Sequence, residues 1–428
     1  MSVRPFVNWS RTVRSQPARW VAPVEEADVA AAVRGAARDG LGVRPVGSAH
    51  SWSPIAASDG VMLDLRGMNR VRAVGSDRVT VEAGCTLHDL LEVLARHGQT
   101  LPIVGSIDAQ SIAGLTATGT HGSSLRHGNL SSLVRGMRLV DGRGEVVTLD
   151  EADPRLTGGR VHLGALGVLT EVTLQTTPAF RLVETLERVP FARAVADIQA
   201  IARSAEYVKV WWLAPSPDAL VFRCSRTTEP GEISPAAWAF DAFQYDWVFP
   251  PLLALGGAIP ALIPVTNQII DRVRFRPQRR IGRSDRVLKM PMPPRHRETE
   301  AAFPIERAGE AMAWLHDWIG AHRARVDFIT EVRFVPADEA WLSPAFGRDT
   351  CQLGAYAARS PDTDRFFDAF REAARGWDGR PHWGKELRIE PGDLDRWYPE
   401  AARFRELASA LDPDSRFHNA MLEPLLRP

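Results

Sequence analysis

Short apolar runs separated by turn residues fill the first 180 residues of the chain. Apolar side chains recur every three or four positions in two stretches, which predicts helices over 24–38 and 87–97. The other apolar runs predict strands over 43–47, 61–65, 79–83, 133–140, 145–149 and 169–175. The Asp141 to Gly144 turn joins the strands beside it as a hairpin. This part is therefore predicted as an α+β unit with many short strands.

The pattern changes at about Arg181, where longer amphipathic stretches alternate with apolar runs. The stretches predict helices over 191–204, 308–321 and 362–376. The runs predict strands over 208–213, 329–335 and 350–356. Helices and strands in this order are typical of a sheet covered by helices on one face.

Residues 247–270 carry no charge and are long enough to span a membrane. Four prolines interrupt them: Pro250, Pro251, Pro260 and Pro264. Proline costs about 3 kcal/mol in a helix interior. We therefore expect a buried or interfacial pair of short helices here, and no membrane contact.

Composition narrows the class of protein. A chain of 428 residues can form two domains with separate cores. The net charge is zero, which argues against a nucleic-acid partner. The three cysteines lack metal-ligand spacing, which argues against a metal site or a disulfide framework. Because the N-terminus also lacks an apolar signal core, we expect a cytoplasmic protein.

Two loops of small residues each carry a histidine. The first runs from Arg44 to Trp52 with His50 near its end, and the second runs from Thr118 to Ser124 with His121. Small residues let main-chain N–H groups approach a diphosphate. Either loop alone is typical of an ordinary turn, but the pair indicates a cofactor site.

These loops resemble those of the FAD-linked oxidases of the vanillyl-alcohol oxidase superfamily, in the branch of aldonolactone and alditol oxidases. The resemblance extends from Asn8 to Asn419. It implies a PCMH-type FAD-binding domain over 1–180, an α/β substrate-binding cap domain over 181–380, and a segment, 381–428, that returns to the FAD domain. It also implies that His50 carries a covalent bond to the flavin 8α-methyl carbon. The remaining cofactor contacts expected are Arg44, Val46, Gly47, Ser48, Ala49, Ser51, Gly105, Ser111, Gly114, Thr118, Gly119, His121 and Gly122.

Glu331 and Arg333 are the first candidates for the chemistry. In a strand they project from one face, while Val332 and Phe334 project from the other. A pair of this kind is often an exposed ion pair worth under about 1 kcal/mol. In the family that the chain resembles, a Glu-x-Arg at the matching strand faces the flavin and holds the reacting hydroxyls. The resemblance therefore assigns substrate positioning, and help in accepting the hydroxyl proton, to this pair.

Lys385 is the second candidate. Only three of the 52 basic residues are lysine, which suggests that this ammonium supplies something arginine cannot. In the family, the matching lysine sits beside substrate and flavin, where it stabilises developing negative charge. Ser106 falls where a substrate-contacting serine is expected, although it could equally be a turn residue. A small residue at Gly105 favours reaction with oxygen over a dehydrogenase.

The sequence thus predicts flavin-dependent oxidation of an alcohol group in a sugar-derived lactone or polyol, with O2 as acceptor and H2O2 as product. Leu387, Gly354 and Tyr356 replace polar residues of the family, which suggests a less hydroxylated substrate, such as a specialised metabolite. Three alternatives stay open. They are a dehydrogenase with another acceptor, a redox-inactive binding protein on this fold, and a metal hydrolase using His50, His121, His127 and His382, which lack ligand spacing.

Overall fold

The computed structural model describes residues 4–390 and 392–427, which form an α+β fold around four β-sheets and a short hairpin. A parallel three-stranded sheet opens the fold, in the spatial order Arg19–Val21, Val61–Asp64 and Val43–Val46. An antiparallel five-stranded sheet lies beside it, in the order Val146–Asp150, Val134–Val140, Val168–Gln175, Arg78–Glu82 and Val71–Val74. The two smallest sheets pair Phe6–Val7 with Arg14–Ser15, and Gln99–Thr100 with Thr177–Pro178.

Helices Glu26–Arg38, Leu87–Arg96, Ile112–Ala117 and Arg155–Gly159 belong to this part, and their apolar faces share one core with both larger sheets. The predicted helices and strands are found here with ends shifted by a few residues. The hairpin is confirmed, since Val146 pairs with Val140 across the Asp141 to Gly144 turn. The strand Val71–Val74 was not predicted, because its middle residues, Arg72 and Ala73, are exposed and its two valines are only half-buried.

An eight-stranded antiparallel sheet, the cap sheet, dominates the second part. Its strands run in the order Gln278–Arg283, Arg181–Pro190, Asp218–Thr227, Tyr207–Trp212, Thr330–Val335, Thr350–Ala357, Arg297–Pro304 and Arg380–Pro381. Four helices cover one face and form its core: Phe191–Ala196, Ile198–Ala202, Ala308–Ala321 and Thr363–Gly376. The prediction of helices on one face is confirmed. The helix expected over 191–204 divides at Asp197, which ends one helix and begins the next.

The other face of the cap sheet is polar. Strand alternation turns Val332 and Phe334 into the core under the helices, so Glu331 and Arg333 lie on the opposite face. Register places Trp211 beside Glu331, and Gly354 between Glu331 and Glu300. This face looks toward the first part of the chain.

Residues 235–274 form a run of short helices at one side of the cap sheet: Pro235–Phe243, the π-helical turn Gln244–Val248, Phe249–Ala258 and Ile263–Arg274. Short helices are therefore confirmed for 247–270, but their outer faces are exposed and not buried. Trp247, for example, is 71% exposed. In the described residues, no helix is both long and apolar enough to cross a bilayer.

The last part of the chain packs back onto the first. Helices Asp393–Trp397, Ala401–Leu411 and Glu423–Leu426 bury their apolar faces in the same core as Glu26–Arg38 and the five-stranded sheet. Main-chain hydrogen bonds join Val43 N to Arg416 O and Trp52 N to Gly384 O, at 2.7 Å each. The C-terminal segment therefore holds the loop that carries His50.

Candidate active site

Two cavities meet at His50. The first, here called the loop cavity, lies between the first small-residue loop and the start of helix Ile112–Ala117. The second, here called the cap cavity, lies under the polar face of the cap sheet. Each has a volume of about 110 Å³, and His50, Ser51, Gln110 and Thr118 line both. The arrangement suits a long ligand that passes from one cavity into the other beside His50.

The structure brings most of the predicted cofactor residues to these cavities. The loop cavity is lined by Arg44, Val46, Gly47, Ser48, Ala49, His50, Ser51, Ser111, Gly114 and Thr118. Gly105 and His121 line the cap cavity.

Gly119 and Gly122 line neither of the two cavities. Gly119 has a φ of +71°, and a Cβ on Gly122 would come within 2.6 Å of Ile103 Cδ1 and Val104 O. Turn geometry and close packing account for both glycines, and the cofactor contact predicted for them stays a prediction.

Close packing shapes the first loop. A Cβ on Gly47 would lie 1.9 Å from Ser111 Oγ, so only glycine lets the loop approach the helix that Ser111 caps. Arg44 donates to the carbonyl oxygens of Gly164, Phe417, Ile55 and Leu163 at 2.5–2.9 Å. These bonds occupy both terminal nitrogens of Arg44, which therefore fixes the loop and leaves only its Nε unpaired.

Two histidine nitrogens on the loop cavity are buried without a hydrogen-bond partner. One is His50 Nδ1; burial and the nearby charge of Lys385 lower the pKa of His50 to about 4, so the ring is neutral at pH 7. The other is His162 Nε2. Because Gly164 N donates to His162 Nδ1 at 3.1 Å, the proton of this neutral ring lies on Nε2. His162 thus offers a donor to an anionic ligand, and no sequence motif marked it.

Glu331 and Arg333 form a buried ion pair on the cap cavity. Trp211 Nε1 donates to Glu331 Oε1 at 2.7 Å, and Tyr356 OH donates to Glu331 Oε2 at 2.9 Å. Burial alone would raise the pKa of Glu331, but the charge and hydrogen bond of Arg333 reverse this and bring it to about 2. Glu331 is therefore a fixed carboxylate that is a poor proton acceptor.

Lys385 lies opposite this pair. Its ammonium donates to Glu298 Oε2, stands 3.9 Å from Glu300 and sits 4.5 Å from the centre of the Trp52 ring. Glu298 lines the cap cavity, and its other oxygen, Oε1, is buried without a partner. Sequence reasoning missed Glu298 and Glu300. Their spacing of two in Arg297–Pro304 is the same strand signal that marked Glu331 and Arg333.

His121 is held by acceptors on both sides. Its Nε2 lies 2.7 Å from Glu300 Oε1, and its Nδ1 lies 2.9 Å from the carbonyl oxygen of Gly122. Burial would raise the pKa of Glu300, yet His121 beside it holds that pKa well below its usual range. Both ring nitrogens of His121 thus face protein acceptors, and its contact with the cofactor stays a prediction.

Ser106 and the other two lysines surround the same cavity. Ser106 lines it, and the Ser106 carbonyl accepts from Met290 N at 2.9 Å. Lys289 is paired with Asp108, two residues from Ser106. Lys209 Nζ lies 4.6 Å from the ring centre of Trp211. All three lysines of the chain thus lie close to the cap cavity.

Comparison with known proteins agrees with this geometry. A family model described as an FAD binding domain matches residues 17–150. A model for D-arabinono-1,4-lactone oxidase matches residues 172–425. The chain belongs to the D-arabinono-1,4-lactone oxidase family. It is an FAD-dependent oxidoreductase with two domains, an FAD-binding domain and a cap.

Relatives in this family align along nearly the whole chain. L-gulono-1,4-lactone dehydrogenase of Mycobacterium tuberculosis is 33% identical, over 98% of this chain and 99% of its own length. L-gulonolactone oxidase of Bos taurus is 30% identical, over 98% of this chain and 97% of its own. Cholesterol oxidase from B. sterolicum has the same fold, with a TM-score of 0.84, 18% identity, and coverage of 99% of this chain and 96% of its own. These relatives include both oxidases and a dehydrogenase.

Proposed function

We propose that the chain oxidises a CH–OH group of a sugar-derived lactone, with FAD bound through the loop cavity and its reactive ring in the cap cavity. The observation that carries the proposal is the meeting of the two cavities at His50, opposite Glu331, Arg333 and Lys385. The relatives named for gulonolactone and arabinonolactone support the choice of a lactone. A polyol is the second candidate for the same chemistry.

Each polar group has a role in this proposal. Bound FAD would supply the acceptor for the hydride that leaves the carbinol carbon as its C–H bond breaks. Glu331 and Arg333 hold the hydroxyl, since Trp211 and Tyr356 fix Glu331 and Glu331 pairs with Arg333. The hydroxyl proton passes to the unpartnered oxygen of Glu298, so that alcohol becomes ketone or aldehyde and both electrons leave with the hydride.

Positive charge surrounds the same space. Lys385 and Arg333 line the cap cavity, where they stabilise negative charge as it develops on the substrate oxygen and the reduced cofactor. Lys385 also donates a hydrogen bond to Glu298, so the two are in direct contact. The base and the cationic group therefore work as one pair.

The proposal includes a covalent bond between His50 and the flavin. His50 Nδ1 is buried without a hydrogen-bond partner and its ring is neutral, so the Nδ1 lone pair is free to form a bond when the ring proton lies on Nε2. Ala49, with a φ of +54°, and the hydrogen bond from Trp52 N to Gly384 O turn the His50 loop toward the junction of the cavities. These are the features that a tethering histidine requires.

Dioxygen is proposed as the acceptor, with H2O2 as product. Gly105 lines the cap cavity, and a Cβ there would lie 3.2 Å from Thr120 Cγ2, so a larger side chain would crowd this wall. Because Gly105 has no side chain, space for O2 remains beside the flavin ring. A dehydrogenase that uses another acceptor is the alternative.

Anaerobic mixing with a panel of aldonolactones and alditols tests the reaction. We expect aldonolactones to bleach the oxidised flavin absorbance, and air to restore it within seconds with release of H2O2. If only alditols bleach the flavin absorbance, the substrate is a polyol and not a lactone. Reoxidation that takes minutes, together with rapid reduction of an artificial dye, would mean a dehydrogenase.

A further inference from the structure

An apolar cavity adjoins the cap cavity and is here called the side cavity. It lies between the end of strand Tyr207–Trp212 and the short helices that follow Pro235. Its volume is about 70 Å³, against about 110 Å³ for the cap cavity. Its lining is almost entirely carbon, from Trp211, Leu213, Tyr245, Phe249, Leu253, Ile270, Phe275, Met290, Pro293, Pro294, Asp327, Phe328 and Ile329.

The side cavity and the cap cavity share a wall. Trp211, Met290, Pro293, Phe328 and Ile329 line both of them. Trp211 marks the boundary, since its Nε1 donates to Glu331 on one side. A group attached to a substrate held by Glu331 is therefore only one ring away from the side cavity.

Nothing in the described lining offers a hydrogen bond to a polar ligand, apart from one tyrosine hydroxyl. Both oxygens of Asp327 accept from main-chain N–H groups, of Ala358 at 2.9 Å and Arg359 at 2.7 Å. Pro293 and Pro294 have no N–H, and Tyr245 OH contacts Met290 Sδ at 4.0 Å. A sugar hydroxyl placed there would lose its hydrogen bonds to water and find no protein partner, which costs free energy. An apolar group placed there would gain free energy from the burial of its surface.

The wall on the cap-cavity side is aromatic as well. Phe328 stacks on His296 with ring centres 4.7 Å apart, and on Tyr356 at 6.0 Å. An apolar group that extends from the hydroxyl end of a bound substrate would pass along the faces of these rings. The three rings thus link the carboxylate that holds the hydroxyl to the apolar cavity.

We propose that the side cavity is a substrate subsite, and that the natural substrate carries an alkyl or aryl group on the side remote from the reacting carbinol. This inference rests on the proposed function, because Glu331 and Arg333 must hold the hydroxyl end. The substrate class is then an amphiphilic lactone or polyol and not a free sugar derivative.

A chain-length series tests the subsite. The probes are L-gulono-1,4-lactone and its 6-O-acetyl, 6-O-butanoyl and 6-O-hexanoyl esters, scored by anaerobic flavin reduction. We expect kcat/KM to rise about fourfold per methylene that enters the cavity, or about 15-fold per step of two. Equal rates for all esters would overturn the subsite and leave the proposed function standing. Reduction by none of the lactones would refute the proposed function itself.

Filling variants locate the effect. Leu253→Trp and Ile270→Trp project into the side cavity, and their neighbours Leu255→Trp and Ile269→Trp on the same helices face solvent as matched controls. We expect the filling variants to lose the gain with chain length and to keep wild-type kcat/KM for the unesterified lactone. A gain that survives in both filling variants overturns the assignment.

Calorimetric titration with 1-hexanol adds a readout that does not depend on turnover. Binding with a negative heat-capacity change is expected for the wild type and for Leu255→Trp, and should be lost in Leu253→Trp. Flavin content and Tm identify any variant that fails to fold, in which case Ile270→Trp replaces it. Wild-type protein that binds no hexanol would refute an apolar subsite.

Discussion

Replacing Glu298 by glutamine separates proton acceptance from simple charge balance. Glutamine keeps the size of the side chain and an oxygen for Lys385, but it cannot accept a proton at pH 7. Lys385 still faces Glu300 at 3.9 Å, so the ammonium keeps a counter-charge and the fold should survive. A general base is worth about 100- to 10,000-fold. We therefore expect Glu298→Gln to slow flavin reduction at least about 100-fold, or about 2.7 kcal/mol.

The assay is anaerobic stopped-flow reduction of the flavin at saturating lactone, which excludes any step with the electron acceptor. Glu310→Gln is the matched control, since the Glu310 side chain is 53% exposed on the helix after this strand. Flavin content should match the wild type in both variants. If Glu298→Gln reduces the flavin within about threefold of the wild-type rate, Glu298 is not the proton acceptor.

Three further predictions follow from the site. His50→Ala should leave the acid-precipitated protein colourless, whereas a yellow pellet from the variant would contradict the tether at His50. Lys385→Arg should slow flavin reduction about 100-fold, or about 2.7 kcal/mol, because only a compact ammonium fits between Glu298 and the Trp52 ring. The exposed substitution Arg388→Lys is the control. If Lys385→Arg leaves the rate of flavin reduction unchanged, the role of Lys385 is structural. Glu331 has a folded pKa of about 2 against 4.5, so its stabilisation is complete above pH 4.5 and lost as the pH falls through 2. The stability cost of Glu331→Gln, measured by urea unfolding, should shrink over that range, and a cost independent of pH would refute the ion pair.

Lysine scarcity directed attention to Lys385, and the structure extends the argument. Lys209 contacts the ring of Trp211 and adds to the charge that lowers the pKa of Glu331. A substitution at Lys209 is therefore not a neutral control for one at Lys385, although the sequence alone would have suggested it as one. An exposed arginine such as Arg388 serves that purpose.

The sequence predicted those helices and strands whose apolar residues recur at regular intervals. Helix Ala308–Ala321 was predicted with both ends correct, and the strand of Glu331 and Arg333 was predicted from its alternation. The strands Arg181–Pro190 and Asp218–Thr227 were missed, because charged residues on their open face interrupt the apolar run. These two strands are stabilised by pairing with each other at ten positions. A short stretch of sequence does not contain such long-range contacts.

The site was predicted only where a motif stood in one stretch of chain. His50 and the Glu331–Arg333 pair were found in this way, and the structure brings His50 to the junction of the cavities and the pair to the cap cavity. Glu298 and His162 were missed, since their importance lies in unpaired atoms that only the folded chain reveals. Arg44 lines the loop cavity, and its contact with the cofactor stays a prediction; its bonds to Gly164 and Phe417 could not be predicted, because they join segments more than 100 residues apart.

The hydrogen bonds around the first loop also set an order of events in biosynthesis. Arg44 donates to Phe417 O, Trp52 N to Gly384 O and Ser53 Oγ to Trp383 O, so the loop is held by residues synthesised more than 300 positions later. A ribosome-bound chain that lacks those residues cannot yet hold His50 at the cavity junction. If flavin is tethered to His50 as proposed, its attachment is a step of the completed polypeptide, and chains that stop before Trp383 should accumulate without a tethered cofactor.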